Sequence, residues 1–335
     1  MKLSKIIIYF CVLFLPFTIM KGNEIDSLKT NEDVNQFMEK HFGYKYSQFT
    51  VADTNHIWYY HSQNNPYKLI ADTLGMKFWY KTDFNNDNKT DLLFYGSYIN
   101  GKHEHSYKVN NILCVIDSDS SSYQLISLYS KLGKELPIIL KKDSESLILL
   151  YQTVENNFQY RDDPRYTYLG VNDEEILLAA IHDKPYVCVD TLIYKFGTFI
   201  EYNSNPKPKE IDEIYFENDC GMLACYVMRL TIKSNRRGIL IGGEYYEDKI
   251  KYNTWIDTLH FNEIINLISY MNFDRIASGY SSGITDASSV EVKIWCDDKL
   301  KAVYDYGRSG TLGLRRLYDL LYGLRFNQKW KKALN

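Results

Sequence analysis

A stretch of nine residues in the first third of the chain contains side-chain oxygens at a spacing suited to one hard cation. Residues 83–91 read Asp-Phe-Asn-Asn-Asp-Asn-Lys-Thr-Asp. Asp83, Asn85, Asp87 and Asp91 occupy loop positions 1, 3, 5 and 9, and the carbonyl oxygen of Lys89 at position 7 can fill a gap between them. Three carboxylates around a divalent ion favour Ca²⁺ over a transition metal, which prefers His or Cys ligands. The spacing therefore predicts a structural calcium site.

The loop is not an EF-hand. An EF-hand has Gly at position 6 and Glu at position 12, whereas this chain has Asn88 and Phe94 there. Asn88 still suits the turn, because Asn tolerates the left-handed backbone conformation better than other residues with a Cβ atom. The apolar run that follows, 92–95, ends at Gly96 and predicts a strand. A solvated Asx-rich turn without an ion is the alternative interpretation.

The loop resembles the calcium loops of FG-GAP and VCBS-type extracellular repeats, which follow the pattern D-x-N-x-D-G-x-x-D-L. The matching residues are the four side-chain ligands named above and Leu92. The resemblance implies bound calcium and an extracellular setting. Because the pattern occurs once in this chain, we do not expect a propeller built from such repeats.

Two glycine-containing stretches resemble catalytic or anion-binding motifs. Residues 279–283 fit G-x-S-x-G, but a nucleophile elbow lies between a strand and a helix, and here a helix is predicted before it and a strand after it. Residues 307–313 lie between a strand and a helix, where backbone N–H groups with Arg308, Arg315 or Arg316 could hold an anion. This stretch lacks the lysine of a P-loop. We expect it to be an ordinary entry to the helix.

The cysteines fall into two groups. Cys114, Cys188 and Cys296 lie in apolar strand patterns and are expected to be buried thiols. Cys220 and Cys225 lie at a loop-to-strand junction, and in an exported protein such a pair is expected to form a structural disulfide. A redox-active pair normally has the spacing C-x-x-C, so catalysis by this pair is not predicted. His103 and His105 are attributed to a solvated hairpin arm.

The first 22 residues have the pattern of a signal peptide. Lys2 and Lys5 precede an uncharged run from Ile6 to Met20, which is shorter than a comfortable membrane span. This predicts export to a periplasmic, outer-envelope or extracellular location. The small-x-small cleavage pattern is poorly met, so an uncleaved membrane anchor is the alternative.

The composition is that of a globular protein, with 45% hydrophobic and 24% charged residues and a net charge of −3. Such a balance offers no basic face for nucleic acid. The chain that remains after the signal is longer than one typical domain. We predict a β-rich domain over 24–202, a linker over 203–209 that contains two prolines, and a second domain over 210–332.

The N-terminal elements begin with a helix from about Asn31 to His41 that is capped by Thr30. The β patterns that follow predict a succession of strands. They are expected at 48–51, 57–61, 67–71, 76–80, 92–98, 107–116, 123–129, 137–140, 147–151, 186–189 and 190–202, with a helix or edge strand at 174–181. Asn100-Gly101 predicts a type I′ turn, so consecutive strands are expected to pair as hairpins.

The strand and helix patterns are clearer in the C-terminal part of the sequence than in the N-terminal part. Strands are expected at 213–216, 226–232, 237–241, 290–296 and 301–306. One helix carries Phe261, Ile264, Ile265 and Ile268 on one stripe, and a second, capped by Thr311, carries the leucines 314, 317, 321 and 324. This order predicts an α+β fold: a β-rich N-terminal domain and a C-terminal antiparallel sheet with two helices on one face.

Residues 211–330 resemble a family of uncharacterised secreted bacterial domains with a C-x-G-x-C-P-x-Y core. The matching parts are Cys220 and Cys225 before a strand, Thr285-Asp286, the strand 301–306 and the leucine-rich helix. This chain departs from the core by one extra residue between the cysteines and by lacking the proline and tyrosine at their usual places. The resemblance implies a fold and an envelope location, and no reaction.

Taken together, the sequence favours an exported binding or structural component with a structural calcium ion as its cofactor. The partner, a protein or a glycan, stays unknown. The alternative is a calcium-supported hydrolase that acts on an envelope or extracellular polymer. A convergent set of ionisable side chains in a concave site would favour the enzyme.

Overall fold

The structure is a computed structural model that describes most of the chain in separate ranges. The described residues are 23–43, 50–52, 71–100, 107–119, 122–128, 136–154, 186–221, 226–243, 250–282, 285–296 and 298–333. At 98–100, 107–110, 119, 152–154 and 186–188 the backbone alone is described. All elements and contacts below lie within these ranges.

The described residues form helices near the N-terminus and in the C-terminal half, and strands in both halves of the chain. The helices are α1 Glu24–Ser27, α2 Asn31–Phe42, α3 Thr258–Tyr270 and α4 Leu312–Asn327. The strands of the N-terminal half are β1 Thr50–Val51, β2 Trp79–Thr82, β3 Asp91–Asn100, β4 Tyr107–Asp119, β5 Ser122–Ser127, β6 Leu136–Lys142, β7 Glu145–Val154, β8 Tyr186–Lys195 and β9 Thr198–Glu201. Those of the C-terminal half are β10 Ile211–Asp219, β11 Val227–Lys233, β12 Arg237–Gly243, β13 Ile250–Trp255, β14 Gly279–Ser281, β15 Ser289–Cys296, β16 Lys299–Tyr306 and β17 Lys331–Lys332.

The first two sheets pack face to face. The first has the order β1-β3-β4-β5 with β2 also paired to β3, and the second has the order β6-β7-β8-β9. Leu93 of β3 packs with Leu150 and Phe199 of the second sheet. Because side chains alternate along a strand, Leu92 and Phe94 point the other way and pack against α1 and α2. Strand β3 is therefore buried on both faces.

The third sheet belongs to the C-terminal half and has the order β14-β16-β15-β10-β11-β12-β13-β17. Its buried face packs against α3 and α4, with Phe216 and Val292 of the sheet in one cluster with Ile264 and Leu317 of the helices. Strand β14 pairs parallel with β16, and the other pairs are antiparallel. The predicted α+β fold, with two helices on one face of this sheet, is confirmed.

One hydrophobic core continues from the second sheet into the C-terminal half. Leu147, Ile193 and Ile200 of the second sheet lie in the same buried cluster as the residues of α3, α4 and the third sheet. The predicted linker, 203–209, has no helix or strand, and its first residue is held on α3. Asn203 N donates to the Tyr270 hydroxyl at 2.9 Å, and its amide donates to the Tyr270 carbonyl at 2.5 Å. The two halves are thus joined by packing as well as by the chain.

Several local predictions are confirmed by the described residues. Thr30 caps α2 in a capping box with Asp33, and Thr311 caps α4. The strands expected at 290–296 and 301–306 are β15 and β16, which pair as a hairpin, and every second residue of β15 from Val290 to Ile294 is buried. These features depend on residues that are close together in the sequence, so the local sequence pattern was sufficient to predict them.

Other predictions were wrong in detail. The strand expected at 67–71 does not include Ala71, which begins a described helical turn at 71–73. Asn100, expected in a turn, instead pairs with Tyr107 as the last residue of β3, and Gly101 lies outside the described residues. The single strand expected at 190–202 is instead the end of β8 and the whole of β9, which turn at Phe196 and Gly197. Strand β13 was missed because its residues lack an apolar alternation.

No helix within the described ranges is long and apolar enough to span a membrane. The predicted signal segment, 1–22, lies outside the described residues. So do the segments expected at 57–61 and 174–181 and the pair His103 and His105.

Candidate metal centre

The Asp-rich loop joins β2 to β3, and three of its side chains turn toward its own backbone. Asp87 N lies 3.3 Å from Asp83 Oδ1 and 3.2 Å from Asn85 Oδ1, so both oxygens accept from one N–H group. Asn88 N donates to Asp83 Oδ2 at 2.8 Å, and Lys89 N donates to Asp87 Oδ1 at 2.9 Å. These short contacts bring the side chains of loop positions 1, 3 and 5 close together.

The loop closes through two left-handed residues. Asn86 has φ 59° and Asn88 has φ 66°. Asn accepts this conformation more readily than other residues with a side chain, because its short polar group bonds to nearby backbone. The predicted left-handed turn at Asn88 is confirmed, and Asn86 adds a second one.

Asp91 has a different position from the other loop carboxylates. It is fully buried, Oδ2 accepts from Phe84 N at 2.8 Å and Oδ1 accepts from Asp117 N at 2.9 Å. Burial raises the pKa of Asp91 to about 7, although the two backbone hydrogen bonds oppose this shift. Asp91 thus fastens the loop to strand β4, and both of its oxygens are already engaged by backbone.

Asp117 on β4 is a second buried carboxylate at this site, and sequence reasoning did not single it out. Its side chain is 4% exposed, and Oδ1 has no hydrogen-bond partner within the described structure. The Lys89 ammonium lies 3.8 Å from Oδ1 and supplies a positive charge. An acid directly after the apolar run 112–116 was the available signal, but only the pairing of β3 with β4 brings it to the loop.

The donor set fits a hard cation better than a transition metal. Within the described ranges, no three His, Cys, Asp or Glu side chains are grouped so as to hold a metal ion. The loop brings together two carboxylates, Asp83 and Asp87, and the amide oxygen of Asn85. Amide and carbonyl oxygens are ordinary calcium ligands, whereas a tightly held transition metal requires His or Cys. The fit is therefore to Ca²⁺ bound with few charged ligands.

The loop is tied to three neighbouring parts of the fold. Ser146 Oγ on β7 donates to the Asp83 carbonyl at 2.6 Å, and the Asn23 amide, which caps α1, donates to the Thr90 carbonyl at 2.6 Å. Phe84 is buried and packs edge-on against Phe199 of β9, with ring centroids 5.2 Å apart. The loop is therefore held by contacts with α1 and with the second sheet.

The glycine-rich segment 307–313 does not hold a free anion site, because carboxylates of the protein bind its N–H groups. Asp305 accepts from Ser309 N at 2.6 Å and from Gly310 N at 2.9 Å. Glu201 at the end of β9 accepts from Leu312 N at 2.6 Å and from Gly313 N at 2.9 Å. The segment was correctly predicted to be the entry to a helix. The sequence analysis did not predict that Glu201, at the end of β9, would supply one of these carboxylates.

The G-x-S-x-G stretch lacks the structure of a nucleophile elbow, as predicted. Strand β14 at 279–281 follows the 3₁₀ turn Phe273–Arg275 and pairs with β16. Residues 285–288, described beyond the gap at 283–284, form a turn that leads into β15 and not into a helix. No catalytic role is assigned to Ser281.

The structure describes the side chains of some of the cysteines. Cys114 is a buried free thiol, and Cys296 is half-buried. Burial raises the pKa of the Cys114 thiol, which suits an inert core residue. Cys220 is buried and is not among the free thiols of the described residues. Cys225 lies outside the described residues, so the bridge between Cys220 and Cys225 stays a prediction.

The comparisons with known proteins reach only the C-terminal half. Residues 212–325 match the model of a family described as Domain of unknown function (DUF6438). This range covers β10 to α4, that is, the core of the third sheet and both helices on its face. No curated protein and no solved structure matches the chain. The match supports an uncharacterised C-terminal domain and leaves the Asp-rich loop outside it.

Proposed function

We propose that this protein is an exported binding or structural component of the envelope or extracellular space, whose N-terminal β-sandwich is fastened by one calcium ion. Asp83, Asn85 and Asp87 and the Lys89 carbonyl would hold the ion. Asp91 would keep the loop closed. The observation that supports this is the convergence of Asp83 Oδ1 and Asn85 Oδ1 on a single N–H group.

The physical reason for an ion is the concentration of negative charge. Burial, and after it charge repulsion from Asp83 and Asp87, raises the pKa of Asp91. Asp117 adds a buried carboxylate whose Oδ1 accepts no hydrogen bond within the described residues. The Lys89 ammonium lies 3.8 Å from Asp117 Oδ1, and the Lys141 ammonium donates to Thr82 and Ser146 beside the loop. A divalent cation in the loop would offset this repulsion.

A structural role is favoured over the calcium-supported hydrolase. Ser146 and Lys141 meet beside the loop, and a serine next to an amine can act as a nucleophile and its base. However, Ser146 is 1% exposed and its Oγ donates to the Asp83 carbonyl, so it holds the loop and is not presented to a substrate.

Calcium is expected to raise the melting temperature of the protein by a few degrees. With a dissociation constant typical of extracellular modules, about 10⁻⁴ to 10⁻³ M, millimolar Ca²⁺ adds about 0.4 to 1.4 kcal/mol to the free energy of unfolding. Asp87→Ala should abolish this response, because it removes one of the two converging carboxylates. Thermal melts with calcium or a chelator measure the effect.

Asp319→Ala serves as the control for this experiment. Asp319 is an exposed carboxylate on α4, and its loss should leave the calcium response unchanged. Identical melts of the unaltered protein in chelator and in about 10 mM Ca²⁺, ten times the weakest affinity assumed, would overturn the calcium proposal.

Export and the Cys220–Cys225 disulfide can be examined in one experiment. Protein recovered from the envelope fraction is treated with an alkylating reagent without reductant and mapped by mass spectrometry. Both cysteines should stay unlabelled, and brief reduction should expose both. In the chain-entropy model so short a loop contributes only about 2 kcal/mol, so the reduced protein should stay folded. Labelling of both residues before reduction, or recovery only from the cytoplasm, would contradict the prediction.

A further inference from the structure

Three exposed apolar side chains are unusually prominent on the C-terminal half. Trp255, Leu259 and Phe326 are 65%, 77% and 69% exposed, whereas no other exposed large hydrophobic residue of the described ranges exceeds 53%. Apolar side chains scattered singly on a surface need no explanation, but a group of them marks an interaction site. The question is therefore whether these three lie together.

A hydrogen-bonded pair brings the three residues to one end of the domain. Asp257 N donates to Gln328 Oε1 at 3.0 Å, and Gln328 Nε2 donates to Asp257 Oδ2 at 2.6 Å. Trp255 and Leu259 lie two residues before and after Asp257, and Phe326 lies two residues before Gln328. The end of β13, the first turn of α3 and the last turn of α4 thus meet at one end of the third sheet. Trp255, Leu259 and Phe326 are exposed on these three adjoining segments, and we call this region the apolar end.

The same region is strongly basic. The described stretches that form it, 236–243, 250–260 and 326–333, carry a single acid, Asp257. Asp257 stays negatively charged at neutral pH, because hydrogen bonds from Gln328, from His260 N and from the His260 ring lower its pKa to about 2. The cationic residues of these stretches are Arg236, Arg237, Lys251, Lys329, Lys331 and Lys332.

Most of these cations are available to a partner. Arg237, Lys251, Lys329, Lys331 and Lys332 are exposed. Arg236 instead donates to the Ile256 carbonyl and to the Thr258 hydroxyl, which fixes the start of α3. Five exposed positive side chains against one exposed acid, Asp257, leave an excess of four positive charges around an apolar group, in a chain whose net charge is −3.

We propose that the apolar end docks on an anionic lipid surface. Tryptophan, phenylalanine and leucine are suited to the boundary between lipid headgroups and acyl chains, and neighbouring lysines are attracted to an anionic membrane surface. Nucleic acid is disfavoured, because its phosphates offer nothing to the aliphatic Leu259. An acidic protein surface would satisfy the lysines and leave three large apolar side chains in contact with polar groups.

The test uses the full chain with vesicles of equimolar phosphatidylglycerol and phosphatidylcholine in which the acyl chains are brominated, so that nearby tryptophan fluorescence is quenched. Trp255 should be quenched, and Trp255→Phe should remove that part of the signal, whereas Trp295→Phe should not. This readout is local to the apolar end, so it is independent of the apolar run 6–20, which is the same in every variant.

Leu259→Ser combined with Phe326→Ser should weaken Trp255 quenching at least about tenfold in lipid concentration, because burial of one such side chain already accounts for a factor of this size. The matched control is Leu300→Ser combined with Tyr304→Ser, which removes two exposed apolar residues elsewhere on the third sheet and should have no effect. Raising the salt concentration should weaken binding, since the lysines contribute.

Several outcomes would overturn the proposal. Equal quenching of Trp255 by purely phosphatidylcholine vesicles would remove the role of the basic residues. Vesicle binding without Trp255 quenching would place the contact elsewhere on the chain. Equal losses in the test and control pairs would show that the effect is not local. Binding of short duplex DNA through the lysines in the absence of Trp255 quenching would assign the region to nucleic acid.

Discussion

Asp305→Ala is expected to lower the free energy of unfolding by about 3 to 5 kcal/mol. Asp305 is fully buried, and Oδ1 accepts from Ser309 N at 2.6 Å and from the Ser309 hydroxyl at 3.3 Å. Its Oδ2 accepts from Gly310 N at 2.9 Å. Removing the carboxylate leaves these buried donors without partners and loosens the turn that starts α4. Urea denaturation followed by circular dichroism measures the loss.

Two further variants make this prediction specific. Asp305→Asn keeps the shape and one acceptor oxygen, so it should lose less than Asp305→Ala and report on the site if the alanine variant does not fold. Asp319→Ala removes an exposed carboxylate of α4 and should change stability by no more than about 0.5 kcal/mol. A loss of less than about 1 kcal/mol for Asp305→Ala would mean that the buried donors find water or other partners.

Glu201→Ala is expected to cost about 2 to 3 kcal/mol and to loosen the junction between the two halves. The Glu201 carboxylate accepts from Leu312 N and Gly313 N at the start of the sixteen-residue helix α4. A negative charge at a helix N-terminus is favourable, because the first N–H groups have no partner within the helix. Removing it should free these donors and increase proteolysis in the segment 203–209, which gel electrophoresis can follow.

Glu201→Gln is the control that removes the negative charge of this side chain. It retains an acceptor for one N–H group and should recover part of the lost stability. Gly313→Ala tests the same junction from the helix side, because a Cβ atom there would lie 2.6 Å from Met271 Sδ and 3.3 Å from Glu201 Oε2. Unchanged proteolysis in Glu201→Ala would show that the shared hydrophobic core alone holds the halves together.

The sequence by itself determined the features that depend on near neighbours. The helix caps at Thr30 and Thr311, the alternation along β15 and the left-handed Asn88 follow from residue types a few positions apart. The α+β class followed because each segment carries the period of its own element. The oxygen spacing of the Asp-rich loop is local in the same way, and so the candidate site could be found before its geometry was known.

Only the tertiary structure decided which distant groups meet. Asp117 reaches Asp91 across 26 residues, and Glu201 reaches the start of α4 across 111 residues. Such pairs leave no periodic trace, because any carboxylate in the chain has the chemistry to bind a free N–H group and the packing of the sheets selects one. Asp91 accordingly serves as the fastening of the loop, and Glu201 as the cap that joins the two halves.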